Sequence, residues 1–269
     1  MRTCSPSGQQ TGDNSSTQTE NRAGNDKYSH GKILVVGLGP GDRDHLTPRA
    51  LAAIQEADII VGYKTYLAFI KDLLVNKEVI SSGMRKEIDR ARAAIEMAHT
   101  GKTVAVVSSG DPGVYGMAGI VMELAGDSIA VDVIPGVTAA TSAAAVLGAP
   151  LMHDFAVISL SDLLTPWETI IKRLEAAGSG DFVVVLYNPR SRGRESQIEV
   201  ARQILLKHKD PETPVGLVRN AKRKDESSLI TTLGKMLKED IDMLTTVIIG
   251  NSQTRIEHNK ILTPRGYKI

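Results

Sequence analysis

Apolar runs and amphipathic stretches alternate along most of this chain. Residues 32–38 (KILVVGL) form a β-branched run closed by glycine, the profile of a strand buried on both faces. Thr47 followed by Pro48 pairs a capping hydroxyl with a first-turn proline and predicts a helix over 48–57. A short strand follows at 59–61. Over 86–100, Ile88, Ala91, Ile95 and Ala98 recur at helical spacing. A buried strand is predicted at 103–107, a helix at 117–125 and a strand at 129–134. Thr138 then opens an alanine-rich helix that Gly148 stops. This βαβ order predicts a parallel sheet with helices on both faces.

Around 148–154 (GAPLMHD) the helix ends and the chain turns through proline, which is where the sequence divides into two halves. The second half restarts with a strand at 155–160. Thr165-Pro166-Trp167-Glu168 reads as a capping box with proline in the first turn, opening a helix to about residue 177. Strands are predicted at 182–187, 215–219, 229–231 and 246–250, with a helix over 195–207. The last strands lack intervening helices, so a mixed sheet is expected there. The organisation expected is a polar tail at 1–31, an α/β domain at 32–150 carrying the glycine-rich loops, and a second α/β domain at 151–269.

The tail, with four apolar residues among 31, buries too little to offset the entropy of ordering and is expected to be disordered; it has no apolar stretch of signal-peptide length. Lys plus Arg is 32 against 31 for Asp plus Glu, a balance that opposes binding through a broad basic surface, nucleic acid included. No apolar run approaches the roughly 20 residues of a membrane span. The single cysteine, Cys4, excludes an internal disulfide framework or a thiolate zinc site, and no metal held by the protein is expected. A two-domain cytoplasmic α/β enzyme is the expectation.

Three glycine-rich segments sit at predicted strand ends. Gly37-Leu38-Gly39-Pro40-Gly41-Asp42 resembles a dinucleotide loop, but Asp42 stands where the third glycine of GxGxxG belongs, and Pro40 removes a backbone donor. The second strand is followed by Gly62-Tyr63 rather than a ribose-binding acid, which weighs against a nicotinamide-dependent oxidoreductase. Ser109-Gly110-Asp111-Pro112-Gly113-Val114-Tyr115-Gly116 lies where open α/β sheets bind ligands, and Asp111 offers a charge-assisted acceptor, or else caps the next helix. In Pro135-Gly136-Val137-Thr138-Ala139-Ala140-Thr141, Thr138 is placed to cap its helix while Ala139 leaves room for a flat ring. Each loop alone also suits a plain turn. All three at strand ends of one sheet point to a ligand.

GLGPGD, SGDPGVYGMA and IPGVTAATSAAA resemble the tetrapyrrole methylases, a family of S-adenosylmethionine-dependent enzymes, and the similarity runs from Lys32 to Ile269. Ser81-Ser82-Gly83-Met84, the stretch 159–167, Tyr187-Asn188-Pro189-Arg190-Ser191 and Thr263-Pro264-Arg265-Gly266-Tyr267 narrow the resemblance. They point to the branch that methylates C17 of precorrin-3B, or of its cobalt form, with ring contraction in cobalamin biosynthesis. The resemblance implies the two-domain class III methyltransferase fold, a parallel N-terminal sheet and a mixed C-terminal one, a cofactor in the interdomain cleft, and a homodimer. It assigns the cofactor to Pro40, Ser109, Gly110, Asp111, Val114, Thr138, Ala139, Asn188 and Ala221.

A polycarboxylate tetrapyrrole calls for cations, and Arg190, Arg192, Arg85 and Arg265, with Lys86, are the candidates. Each could equally be a solvated surface residue. Methyl transfer from a sulfonium to an electron-rich carbon rests on positioning and exclusion of water, so no Ser/His/Asp constellation is required. Ring contraction calls for proton transfer, for which His45, Asp42, Asp44, Tyr115 and His153 are available. Another methyltransferase of the superfamily, acting on a different precorrin position, diphthamide or ribosomal RNA, is the alternative reading.

Overall fold

The computed structural model describes residues 31–83, 86–191 and 193–268. The expectation for the tail, and those for Arg85 and Arg192, fall outside the described residues. The first half comprises β1 (Lys32–Gly37), α1 (Pro48–Glu56), β2 (Ile59–Tyr63), α2 (Lys64–Phe69), β3 (Glu78–Ser82), α3 (Glu87–His99), β4 (Thr103–Ser108), α4 (Ala118–Ala125) and β5 (Ala130–Ile134). Its strands form one parallel sheet in the order β3-β2-β4-β1-β5. Alternation along β1 explains its unbroken apolar run: Ile33 and Val35 enter the core under α3 and α4, while Leu34 and Val36 enter the core under α1 and α2. Thr47 Oγ1 accepts from Ala50 N at 3.1 Å, so α1 starts where the local pattern places it.

The second half contains β7 (Phe155–Ser159), α6 (Trp167–Ser179), β8 (Val183–Tyr187), α7 (Gln197–Leu205), β9 (Pro214–Arg219), β10 (Ser227–Thr232) and β11 (Thr245–Ile249). Their order is β10-β9-β11-β8-β7, with β7 and β8 parallel and the remaining pairs antiparallel, the mixed sheet expected. The capping box at Thr165 does not form. Pro166 holds an extended ψ of 137°, so α6 starts at Trp167 with no side-chain cap and Thr165 lies outside its first turn.

Between the two sheets runs α5 (Ala139–Leu147). It is the alanine-rich helix expected, but its buried face, Ala140, Ala143, Ala144 and Leu147, packs on Val183, Val185, Val218 and Ile248 of the second sheet. The packing thus changes sheets before α5, ahead of the turn at 148–154. A small third sheet, β6 (Gly148–Ala149) with the hairpin β12 (Arg255–Glu257) and β13 (Lys260–Leu262), closes the far end of α5.

Candidate active site

Loops after β1, β4 and β5 meet at the carboxyl edge of the first sheet, and the backbone itself ties them together. Gly39 and Gly110 exchange hydrogen bonds, N to O at 3.1 Å and 2.7 Å, which joins the first loop to the second. Asp111 joins the second to the third: Oδ1 accepts from Gly113 N at 2.8 Å and Oδ2 from Gly136 N at 3.0 Å. The approach is so close that a Cβ on Gly136 would stand 2.2 Å from Gly110 O, and Gly110 itself has φ +67°. Glycine is required at both positions.

Beside these loops lies a cavity of about 400 Å³ shared by the two halves of the chain. Pro40, Ser109, Gly110 and Ala139 line it from the first-sheet loops, and Asn188 and Ala221 from the loops after β8 and β9. Six of the nine positions that the resemblance assigns to the cofactor therefore line one cavity. The remaining three do not line it. Asp111 is occupied by the two backbone N–H groups, Thr138 is engaged by a tyrosine, and Val114 is exposed on the second loop.

That tyrosine is Tyr187, at the end of β8. Thr138 was expected to cap α5 with its own hydroxyl, and it does not. Tyr187 Oη instead lies 2.6 Å from Thr138 Oγ1 and accepts from Ala140 N at 2.7 Å, so the cap of α5 comes from the second sheet. The Tyr115 ring lies 5.9 Å away, and its hydroxyl donates to Val157 O at 3.1 Å and accepts from Ser159 N at 3.2 Å. Both tyrosines stitch the second loop and α5 to β7 and β8. Burial raises the Tyr187 phenol above its ordinary pKa, and the hydrogen bonds from its neighbours do not offset this.

Of the proton-transfer candidates, Asp42 and His45 form a pair on the first loop. His45 Nδ1 lies 2.8 Å from each Asp42 carboxylate oxygen, and both side chains are about one third exposed. His153 is partnered with its own neighbour, Asp154, and Asp44 is exposed. The candidate cations scatter. Arg190 lines a different cavity, of about 690 Å³, with Leu217, Arg219 and Asp242, and its buried Nε has no hydrogen-bond partner. Arg265 is exposed near Met152 O, and Lys86 pairs with Asp89 at 3.0 Å.

The cation that does line the shared cavity is Arg223, which sequence reasoning passed over, as it did Tyr63, Tyr66, Asn220 and Met243–Thr246. One signal for part of this set was present. Of ten aromatic residues in the chain, Tyr63, Tyr66 and Phe69 fall within seven positions, spaced as on one helical face. They pack in series, Tyr63 on Tyr66 at 5.2 Å and Tyr66 on Phe69 at 6.3 Å.

Comparison with known proteins bears on the family and the fold. The family model described as Tetrapyrrole (Corrin/Porphyrin) Methylases matches residues 32–237. A cobalt-factor III methyltransferase of Priestia megaterium is 53% identical over 245 residues, 88% of this chain but only 45% of that protein's length. A probable cobalt-factor III C(17)-methyltransferase of Salmonella typhimurium is 51% identical over 88% of this chain and the whole of the relative. Among solved structures, the methyltransferase CobJ superposes with a TM-score of 0.80 at 38% identity, covering 87% of this chain and 100% of that one. A uroporphyrin-III C-methyltransferase of Thermus thermophilus, complexed with S-adenosylhomocysteine, shares the fold at a TM-score of 0.64 and 24% identity, over 82% and 97% of the two chains.

Proposed function

The chain belongs to the tetrapyrrole (corrin/porphyrin) methylases, and from that premise we propose that it transfers a methyl group from S-adenosylmethionine to C17 of cobalt-factor III, with contraction of the macrocycle, in cobalamin biosynthesis. The observation that carries the reading is the shared cavity. It gathers six of the nine family cofactor positions from the five connections that follow β1, β4, β5, β8 and β9 of two sheets. The cobalt form of the substrate is favoured over precorrin-3B because two relatives, 53% and 51% identical over 88% of this chain, are named for cobalt-factor III.

The residues present fit the cofactor. Pro40, Ala139 and Ala221 offer small, uncharged surface for a flat ring, while Asn188, Asn220 and the Thr245–Thr246 pair supply polar partners. The volume lies within the range of small-molecule pockets. S-adenosylmethionine supplies a methyl group on a positively charged sulfur. What the chain contributes is position and dryness. Asp111 and the Gly39–Gly110 bridge fix the three loops relative to one another, and Tyr187 fixes α5 against them. A cavity of fixed shape holds donor and acceptor carbons in line, and the half-exposed apolar side chains of Met243 and Leu244 exclude water once a bound macrocycle covers them. The positive charge passes from the sulfur to the methylated macrocycle as the carbon–sulfur bond breaks and the carbon–carbon bond forms, so the displacement itself needs position more than a base. For ring contraction, Asp42 and His45 are the pair we assign to proton transfer, with Asp42 orienting the imidazole through Nδ1.

The proposal extends to a homodimer in the cytoplasm, as the resemblance implies; light scattering should give twice the chain mass. Among the described residues no helix is long and apolar enough to cross a membrane. Incubation with cobalt-factor III or metal-free precorrin-3B and a methyl-labelled cofactor tests the reading. One labelled methyl in the corrinoid, faster with the cobalt form, is the expected result.

A further inference from the structure

Among the described residues, Arg223 is the only charged side chain lining the shared cavity, and its partners there are neutral. Nε donates to Pro40 O, Nη2 donates to Ser109 Oγ at 3.1 Å, and the guanidinium carbon lies 4.8 Å from the centre of the Phe69 ring. The room it occupies is made by the first loop: a Cβ on Gly41 would meet Arg223 Nε at 3.2 Å and Cγ at 3.3 Å. Arg43 and Arg219 pair with Asp72 and Asp242, while Arg90, Arg194 and Arg202 are hydrogen-bonded to neutral groups as Arg223 is, but none of these five lines the shared cavity. Among the described residues the Tyr66 phenol is the one electrostatic partner of Arg223, and burial lowers the arginine's pKa. A half-buried cation without a counter-charge attracts an anion into the space it faces.

We propose that Arg223 is the carboxylate-binding residue of the cleft, exchanging a neutral acceptor on the cofactor loops for the carboxylate of an incoming ligand. The planar guanidinium suits two parallel hydrogen bonds to a carboxylate. Two sources carry that group: the acidic side chains of a tetrapyrrole and the amino-acid end of the cofactor. The inference rests on the reading of the cavity as the meeting place of these two ligands. It also gives the cleft a loading signal. A carboxylate that draws the guanidinium from Pro40 O or Ser109 Oγ alters the contact between the β9 loop and the first two loops.

The test uses Arg223→Gln and Arg223→Lys in the full chain, each checked for its melting transition. Uroporphyrin, followed by fluorescence quenching, probes the macrocycle's carboxylates. S-adenosylhomocysteine and 5′-methylthioadenosine, which lacks the amino-acid end, probe the cofactor's by calorimetry. Arg223→Gln should lose about tenfold in affinity, near 1.4 kcal/mol, either for uroporphyrin or for S-adenosylhomocysteine with 5′-methylthioadenosine unchanged. The arm that falls identifies the source, and Arg223→Lys should recover part of the loss in that arm alone. Three affinities within twofold of wild type would overturn the proposal. So would a loss that extends to 5′-methylthioadenosine, because the arginine would then merely shape the pocket. Wild-type failure to methylate cobalt-factor III would sink the functional reading instead, and the binding arms would still decide Arg223.

Discussion

Removing one oxygen atom at Tyr187 tests whether the second sheet holds α5 in place. In Tyr187→Phe the ring keeps its packing, while Ala140 N loses its acceptor at 2.7 Å and Thr138 Oγ1 loses its partner at 2.6 Å. Loss of a helix cap costs about 0.5–2 kcal/mol, and one further hydrogen bond about 0.5–1.5 kcal/mol. The sum is centred near 2 kcal/mol, and partial access of water to this site places the outcome in the lower half of the range. For a chain of this size each kcal/mol lowers Tm by about 2–4 °C, so a loss of about 1–2 kcal/mol gives an expected fall of roughly 2–8 °C. The assay is thermal unfolding of wild type, Tyr187→Phe, Thr138→Val and the double variant. Because both single changes remove the same hydrogen bond, their effects should fall short of additivity by about 0.5–1 kcal/mol. Strict additivity, or a Tm within 1 °C of wild type in Tyr187→Phe, would refute the reasoning. The helix would then be held by its alanine face alone.

Gly136→Ala should abolish cofactor binding or folding, since its Cβ would stand 2.2 Å from Gly110 O; S-adenosylhomocysteine binding at wild-type affinity would contradict this. Asp111→Ala removes two backbone hydrogen bonds to a charged group and should weaken cofactor affinity by about 1–3 kcal/mol through the loops it ties, measured by calorimetry. Burial alone would raise the Asp181 carboxyl, but hydrogen bonds from Ser252 and the charge of Lys209 outweigh it and hold the group below its ordinary 3.8. Its contribution to stability is therefore present above about pH 4 and lost as pH falls through the lower folded value. The Tm gap between wild type and Asp181→Asn should narrow in that window, and a gap constant from pH 7 to pH 3 would count against it.

What was legible in the sequence was whatever local pattern decides. Thr47-Pro48 starts α1 through a bond three residues long, and β1 reads as buried because both of its faces are covered. The strand β3 was missed because it lies at a sheet edge with mostly exposed residues, and β12 likewise lacks a buried face. For α5, the alanines at helical spacing announced a buried face but not its partner. Small side chains pack as well on the first sheet as on the second, and only the Tyr187 bond and the fit of Leu147 decide between them.

The candidate site divides along the same line. Backbone loops at strand ends could be read from their glycines, and most of them meet at the cavity. Side-chain direction beyond a strand end could not. Arg190 lies three residues past Tyr187, yet it lines the cavity on the α7 side with Leu217, while Tyr187 lines the shared one. Arg223, which lines the cleft, follows two residues in left-handed backbone, Asn220 and Lys222, φ 53° and 58°. Asparagine accepts that conformation readily, but a lysine there betrays nothing in the sequence.

The central claim is methyl transfer to a corrinoid at the cleft between the two sheets, and single-turnover mass spectrometry addresses it most directly. The enzyme, cobalt-factor III and S-adenosylmethionine carrying an isotope-labelled methyl should give a product heavier by one labelled methyl group, and Gly136→Ala should give none. A wild-type enzyme that binds S-adenosylhomocysteine in the cavity yet leaves the corrinoid unlabelled would contradict the account.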